Sequence, residues 1–235
     1  VTVYQIPTTD DFGRLDRTIH NYAEMAHAIA QIDGVNRAAP LIKGQVMASF
    51  GGQNAGVQVY GISASDLLTL PRIAEPEDFV GDIGDFEQGI AIGSGVARIL
   101  NVTLGDKIKL ISPNGVKTAF GTSPRVKSYP ITYVFTAGRY DIDKTRVYMP
   151  FAEAQDYFNR EGVADEIEVM VENPDQVERL AEAISSAAGA RAQLWSWKDA
   201  SSNFLRALEI EDDVMFIIMT ILVLIATSVS THYYF

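Results

Sequence analysis

Residues 21–62 read NYAEMAHAIAQIDGVNRAAPLIKGQVMASFGGQNAGVQVYGI. Asn21-Tyr22-Ala23-Glu24 has the form of a capping box, with Asn21 as the cap and Glu24 reaching back from the third position. Tyr22, Met25, Ile29 and Ile32 then lay one apolar stripe along a helix that stops at Asp33-Gly34. Val46–Phe50 and Val57–Ile62 are rich in β-formers and are separated by Gly51-Gly52-Gln53-Asn54, a hairpin signal. Outward from this core, Val1–Ile6 alternates as a strand on the N-terminal side. On the other side Gln88–Ile92 and Lys107–Ile111 read as strands, with a short helix at Val96–Leu100 between them. Strands at 131–136, 146–149, 166–171 and 191–195 alternate with helices at 150–158 and 174–187. The later helix opens with Asn173-Pro174-Asp175, which joins a cap, a first-turn proline and an acid.

This pattern predicts an α+β fold: a split βαβ-type α/β subdomain with an inserted β-rich subdomain, followed by a transmembrane helix. The α/β part covers 1–47 and 131–198, and the β-rich insertion covers 48–130. A connecting helix occupies 199–213 and the membrane helix 214–235. The last of these rests on VMFIIMTILVLIATSVSTHYYF, from Val214 to Phe235, which contains no Asp, Glu, Lys or Arg. At 1.5 Å per residue it is roughly 33 Å long, against a hydrocarbon core of about 30 Å. Glu209, Glu211, Asp212 and Asp213 mark its water-facing end, and Tyr233 and Tyr234 suit the far interface. The sequence starts within a strand and stops after this run, so a fragment of a longer membrane protein is expected.

Composition narrows the chemistry. The chain has 235 residues with 30 acids against 19 bases, a formal charge of -11, so nucleic acid is not expected as a partner. With no cysteine there are no disulfides, thiol nucleophiles or thiolate metal sites. No phosphate-binding GxxxxGK[ST] occurs, and Gly93-Ser94-Gly95 has neither nucleotide-fingerprint nor nucleophile-elbow spacing, which leaves a tight turn. His20, Glu24 and His27 could share a helix face, but His20 and His27 would lie about 10 Å apart, too far for one small ion. Six acids between Glu75 and Glu87 lack the alternation of a calcium loop and read as a solvated face. No catalytic residues, metal ligands or resident cofactor are expected in this chain.

One segment runs against the overall charge. Residues 114–130, NGVKTAFGTSPRVKSYP, hold Lys117, Arg125 and Lys127 and no acid. Gly115, Gly121 and Pro124 predict turned structure rather than a continued sheet. Val116 and Phe120 beside these bases resemble an aromatic anchor with steering charges, against the alternative of a flexible hairpin whose Phe120 folds back on the core.

The ordered motifs resemble the permease subunits of the lipoprotein-releasing (Lol) ABC transporter, the LolC/LolE family. Ile32-Asp33-Gly34-Val35-Asn36-Arg37-Ala38-Ala39-Pro40 is similar to that family's "GV-x-x-(A)-P" stretch after a helix, and Val59-Tyr60-Gly61-Ile62 to its "GI(D)P"-like turn. Residues 92–102, IGSGVARILNV, followed by Gly105-Asp106-Lys107-Ile108, are similar to "IG-x-x-LA-x-x-LGV-x-x-GD-x-I". Trp195, Trp197, Phe204, Ala207, Leu208, Glu211 and Met215 match the lead-in to its second membrane helix. The segment 227–234 departs from the family's continuation, and GD-x-I alone is shared with macrolide-export relatives.

The resemblance implies a periplasmic MacB-like core domain in the bacterial inner membrane, with residues 1 to about 210 in the periplasm. It implies a cytoplasmic ATPase subunit that binds ATP and Mg, a second permease copy or paralogue, acylated lipoproteins, membrane lipid, and a LolA-like periplasmic carrier. By the same resemblance 114–130 is a hook-like carrier-docking loop comprising Val116, Lys117, Phe120, Pro124, Arg125 and Lys127. Phe120 is its apolar tip, Pro124 its turn and Lys127 its contacting base. Met215, Ile218, Met219 and Leu222 are the lipid-cavity candidates. The rival readings are a macrolide- or peptide-exporter-type permease domain, and a membrane-anchored sensor or interaction domain without transport.

Overall fold

A computed structural model describes the backbone of every residue except 10–12, 14, 119, 120, 234 and 235. Side chains are described for the remainder apart from 114, 116–118, 121, 122, 200, 203–205, 207–209, 224 and 226–233. In chain order the elements are β1 (Thr2–Gln5), β2 (Thr8–Thr9), β3 (Leu15–Asp16), α1 (Tyr22–Ala30), β4 (Val35–Phe50), β5 (Gln53–Ile62), α2 (Ala64–Leu67), α3 (Pro71–Ala74), β6 (Asp78–Gly81), β7 (Ile90–Gly93) and α4 (Ser94–Leu100). They continue as β8 (Lys107–Thr118), β9 (Gly121–Thr136), α5 (Tyr140–Thr145), β10 (Arg146–Pro150), α6 (Phe151–Phe158), β11 (Glu166–Val171), α7 (Val177–Ala188), β12 (Ala192–Trp195), α8 (Trp197–Ala200) and α9 (Ser202–Tyr233). Val1–Leu194 forms one compact unit and Trp195–Phe235 a second.

In the first unit the main sheet runs β12-β1-β11-β4-β5-β10-β7-β9-β6, and β8 pairs with both β4 and β9. The ladders β4-β5, β5-β10, β10-β7, β7-β9, β9-β8 and β8-β4 therefore return to their starting strand. The circuit closes on itself, while β12 and β6 stand at the two ends of the strand order. Period-2 alternation sends Ile42, Val46, Val57, Val59, Ile92, Leu110, Ile131 and Val147 to the inside, where α4 and α6 contribute Val96, Leu100, Ala154 and Tyr157 to the same core. A second core, with Leu41, Ile62, Phe86, Tyr133 and Phe135, lies under the 63–89 segment. A third joins both ends of the unit: Val3, Ile167 and Val169 on the sheet pack against Ile29 of α1 and Ile184 of α7.

Three expectations change. Asn21 precedes α1, but its side chain makes no capping hydrogen bond, because the first turn is entered at φ -98°, ψ 36° rather than in the extended conformation a side-chain cap needs. A short strand, β6, lies within the acidic run, paired to β9. Residues 114–130 are not turned structure: β8 and β9 form a long antiparallel hairpin to the pair Thr118–Gly121. The breakers are absorbed in a bulge, where Pro113, Asn114 and Gly115 lie opposite Pro124 alone, between the pairs Ser112–Arg125 and Val116–Ser123.

The second unit is dominated by α9. Ser196 starts α8 with a full capping box to Asp199, and α9 then runs unbroken from Ser202 to Tyr233 through both expected helices. Among the described residues no helix is long and apolar enough to cross a membrane. The described apolar run, 214–223 with Ile225, is shorter than the roughly 20 residues a span requires. The rest of the expected span lies outside the residues whose side chains are described, so the span is not confirmed.

Candidate functional site

The β8–β9 hairpin is the segment that sequence singles out, and its position follows from the alternation of its strands. Lys127 pairs with Leu110 and Arg125 with Ser112, while the intervening Val126 pairs with Ile111. Side chains of neighbouring residues leave a strand on opposite faces. Arg125 and Lys127 therefore share the side of buried Leu110, and Val126 faces out, 55% exposed.

Both bases meet the last turns of α6. The Arg125 guanidinium donates from Nη1 to the carbonyl oxygens of Asp156 and, at 3.1 Å, Tyr157, and from Nη2 to Asn159 Oδ1 at 2.6 Å. Asn159 itself closes the helix in the left-handed conformation, φ 53°. The last carbonyls of a helix lack intrahelical donors and carry its negative pole, so a guanidinium there satisfies hydrogen bonds and the dipole together. Lys127 Nζ donates to Glu153 Oε1 at 2.5 Å and to Asp156 Oδ2 at 3.2 Å. The Glu153 hydrogen bond holds the ammonium pKa above its ordinary value. Tyr129 donates its hydroxyl to the same Glu153 oxygen at 2.7 Å, and burial together with that carboxylate pushes the phenol upward. Tyr157, fully buried beneath, is raised to about 12 by burial. Of the bases that looked anomalous in sequence, Lys127 is thus neutralised by carboxylates of α6 and Arg125 is held by the acceptors at its C-terminal end.

Of the six hairpin residues picked out by sequence, Pro124, Arg125 and Lys127 are gathered at this root. Val116 and Lys117 continue the strand beyond the bulge, with their side chains outside the described residues, and Phe120 lies wholly outside them. Sequence reading missed Glu153, Asp156 and Asn159. The signal available was a helix ending Glu-x-x-Asp-x-x-Asn, which offers carboxylates and a cap side chain on one stripe. Met215, Ile218, Met219 and Leu222 lie at helical spacing on α9 and are all exposed.

Other features resolve as structure. His20 Nε2 lies 3.2 Å from Asp16 Oδ2, and among the described residues no cluster of acids and histidines could hold a metal. Two of the acids in the 75–87 run bond to nearby main chain, Asp78 accepting from Phe79 N and Asp82, which caps the turn that follows it, from Gly84 N. Gly93 and Gly95 lie against the Asp143 main chain, where a Cβ would come within 2.4 and 2.7 Å of its carbonyl oxygen. That motif serves close packing, not phosphate binding. Glu166, buried on the sheet, is held by an ion pair with Lys43, and burial pushes its carboxyl pKa up.

Known proteins match along most of the chain. The lipoprotein-releasing system transmembrane protein LolC of Neisseria meningitidis serogroup B is 24% identical over 220 residues, 92% of this chain and 53% of that protein. The protein of the same name from Xylella fastidiosa is 23% identical over 202 residues, 84% of this chain and 48% of that one. The chain thus spans about half the length of these relatives. Among solved structures, the periplasmic region of MacB from Actinobacillus actinomycetemcomitans superposes with a TM-score of 0.52 at 15% identity, over 88% of this chain and 91% of that one. The extracellular domain of the noncanonic ABC-type transporter YknZ from Gram-positive bacteria gives 0.51 at 15% identity, over 83% and 99%. At that identity the two structures speak for the fold alone, and the resemblance to lipoprotein-releasing permeases is borne out by the matched relatives. The profile of the MacB-like periplasmic core domain matches residues 1–187, and the chain belongs to that family.

Proposed function

We propose that this chain is the periplasmic core of an inner-membrane ABC permease that releases acylated lipoproteins and hands them to a soluble periplasmic carrier. A separate cytoplasmic subunit hydrolyses ATP with Mg, and a second permease copy or paralogue completes the transporter. The observation that carries this reading is the match to LolC proteins over as much as 92% of the chain. It is supported by a long hairpin standing where the motif resemblance expects a docking element.

In this reading Arg125 and Lys127 are positioning residues. They fix the root of the hairpin to α6, so movement of the domain is passed to the arm. Contact with the carrier then falls to Val116, Lys117 and Phe120 beyond the bulge. The run 214–235 spans the membrane, with Met215, Ile218, Met219 and Leu222 facing acyl chains, where unbranched thioethers adapt to varied shapes. Direct hand-over matters because each methylene exposed to water costs about 0.8 kcal/mol.

The test uses the full-length permease with its ATPase in spheroplasts. Phe120→Glu should abolish carrier-dependent release of lipoproteins while complex assembly and ATP hydrolysis persist. Normal release by this variant would overturn the docking assignment. Export of a macrolide or peptide with no lipoprotein release would favour the exporter reading.

A further inference from the structure

The strand order of the main sheet ends at β6, which pairs with β9 along one side, and among the described residues no strand pairs with its other side. Alternate N–H and C=O groups of a strand point to each side, so such an edge presents unmatched donors and acceptors. Natural edges are blunted by charge or cover. Here the two central residues are apolar and project to opposite faces, Phe79 58% exposed and Val80 50%. Phe79 lies against Tyr133, with ring centroids 5.9 Å apart, and Tyr133 belongs to the second core. Leu104, itself exposed, lies beside Gly81 at the end of the strand. Apolar surface therefore runs from the core out to the free edge.

Three features specify what fits this edge. The unmatched main chain calls for an extended peptide, because a hydrocarbon chain would cover the outward amides and carbonyls without bonding to them. Phe79 and Val80 call for a strand that carries apolar side chains on both faces. The charge calls for a basic one. Glu75, Glu77, Asp78, Asp82, Asp85 and Glu87 are all exposed, and among the described residues none of them forms an ion pair. Arg72 of α3, the nearest base before them in the sequence, donates to the Ala137 carbonyl oxygen at 2.9 Å. A second copy pairing through its own β6 would set one acidic run against another, which opposes self-association at this edge.

We propose that β6 is a docking edge for a partner protein, which adds an extended basic segment to the end of the main sheet as a further strand. Main-chain hydrogen bonds along the edge supply the affinity, Phe79 and Val80 set the register, and the surrounding carboxylates select a basic partner. The docking is independent of what the permease transports, since neither the β8–β9 hairpin nor α9 takes part in it.

The experiment uses the full-length protein in lipid nanodiscs and a fluorescent nonapeptide with two lysines at each end and alternating valine and threonine between them. At saturating peptide, exchange of the outward-facing amides of 78–81 should slow at least tenfold, while that of β12, the edge at the other end of the sheet, stays unchanged. The same peptide N-methylated throughout its central residues should bind at least tenfold more weakly, and so should one with glutamates in place of the lysines. Val80→Lys, on an exposed face, should weaken the lysine peptide to the same extent. Equal binding of the N-methylated peptide would overturn strand addition, and equal binding of the glutamate peptide would overturn the selection for basic partners. Protection of 78–81 that rises with protein concentration and needs no peptide would overturn the partner assignment and make β6 an interface between copies. Absence of protection with the lysine peptide at millimolar concentration would overturn the docking edge altogether.

Discussion

Replacing Arg125 with leucine removes three hydrogen bonds to the end of α6 while keeping the apolar stem. Bonds from a charged donor contribute about 1.5–3 kcal/mol each where water is excluded. Here the Asp156 side is exposed and water can take over the freed acceptors, so their sum falls towards the lower figure. The lost favourable charge at the helix C-terminus adds roughly 0.3–1 kcal/mol. Together these come to about 2 kcal/mol, which corresponds to roughly 30-fold in an opening equilibrium at 1.4 kcal/mol per decade. The bonds tie the hairpin root to one helix, so the loss appears as local opening. Amide exchange of Ser123 and of residues 125–128 should accelerate by about 30-fold, and that of Ile92 and Val147 in the core should change little. Arg125→Lys keeps the charge but not the fork, and should fall between the two. Unchanged exchange at these hairpin amides in the leucine variant would refute the anchoring role. An acceleration spread evenly through the core would refute its locality.

Lys43→Met should cost about 3–5 kcal/mol in denaturant unfolding, because it strands the buried Glu166 carboxylate, and adding Glu166→Gln should recover most of it. Gly93→Ala should cost about 1–3 kcal/mol, since its methyl meets the fixed main-chain oxygen of Asp143 and not a yielding side chain. Tyr157, raised to about 12, and Lys127, held above its ordinary value, both have folded pKa values above the unfolded ones. Their contribution is therefore complete below about pH 10 and lost as the pH rises further. Unfolding midpoints should stay level to about pH 10 and fall towards 12, and Tyr157→Phe should flatten part of that fall.

Local signals were the legible ones. The stripe from Tyr22 to Ile32 gave α1, and the Gly51-Gly52 turn between two β-rich runs marked the β4–β5 hairpin, because in each case the information lies within a few residues. The capping box failed at a point only backbone angles decide. Residues 114–130 misled because Pro113, Gly115 and Pro124 break regular pairing, yet a bulge accommodates them together across two strands. The roles of Arg125 and Lys127 were hidden for a different reason. Their partners lie 26 to 34 residues away on α6, and composition records an uncompensated charge without recording where it is compensated.

The central claim is that the hairpin beyond its α6 anchor meets a periplasmic carrier. The most direct measurement places a photo-crosslinking amino acid at Phe120 of the full-length permease in cells. The account predicts a carrier-sized adduct that weakens in Arg125→Leu, where the arm is no longer held. Absence of any adduct from a normally expressed and inserted protein would contradict it.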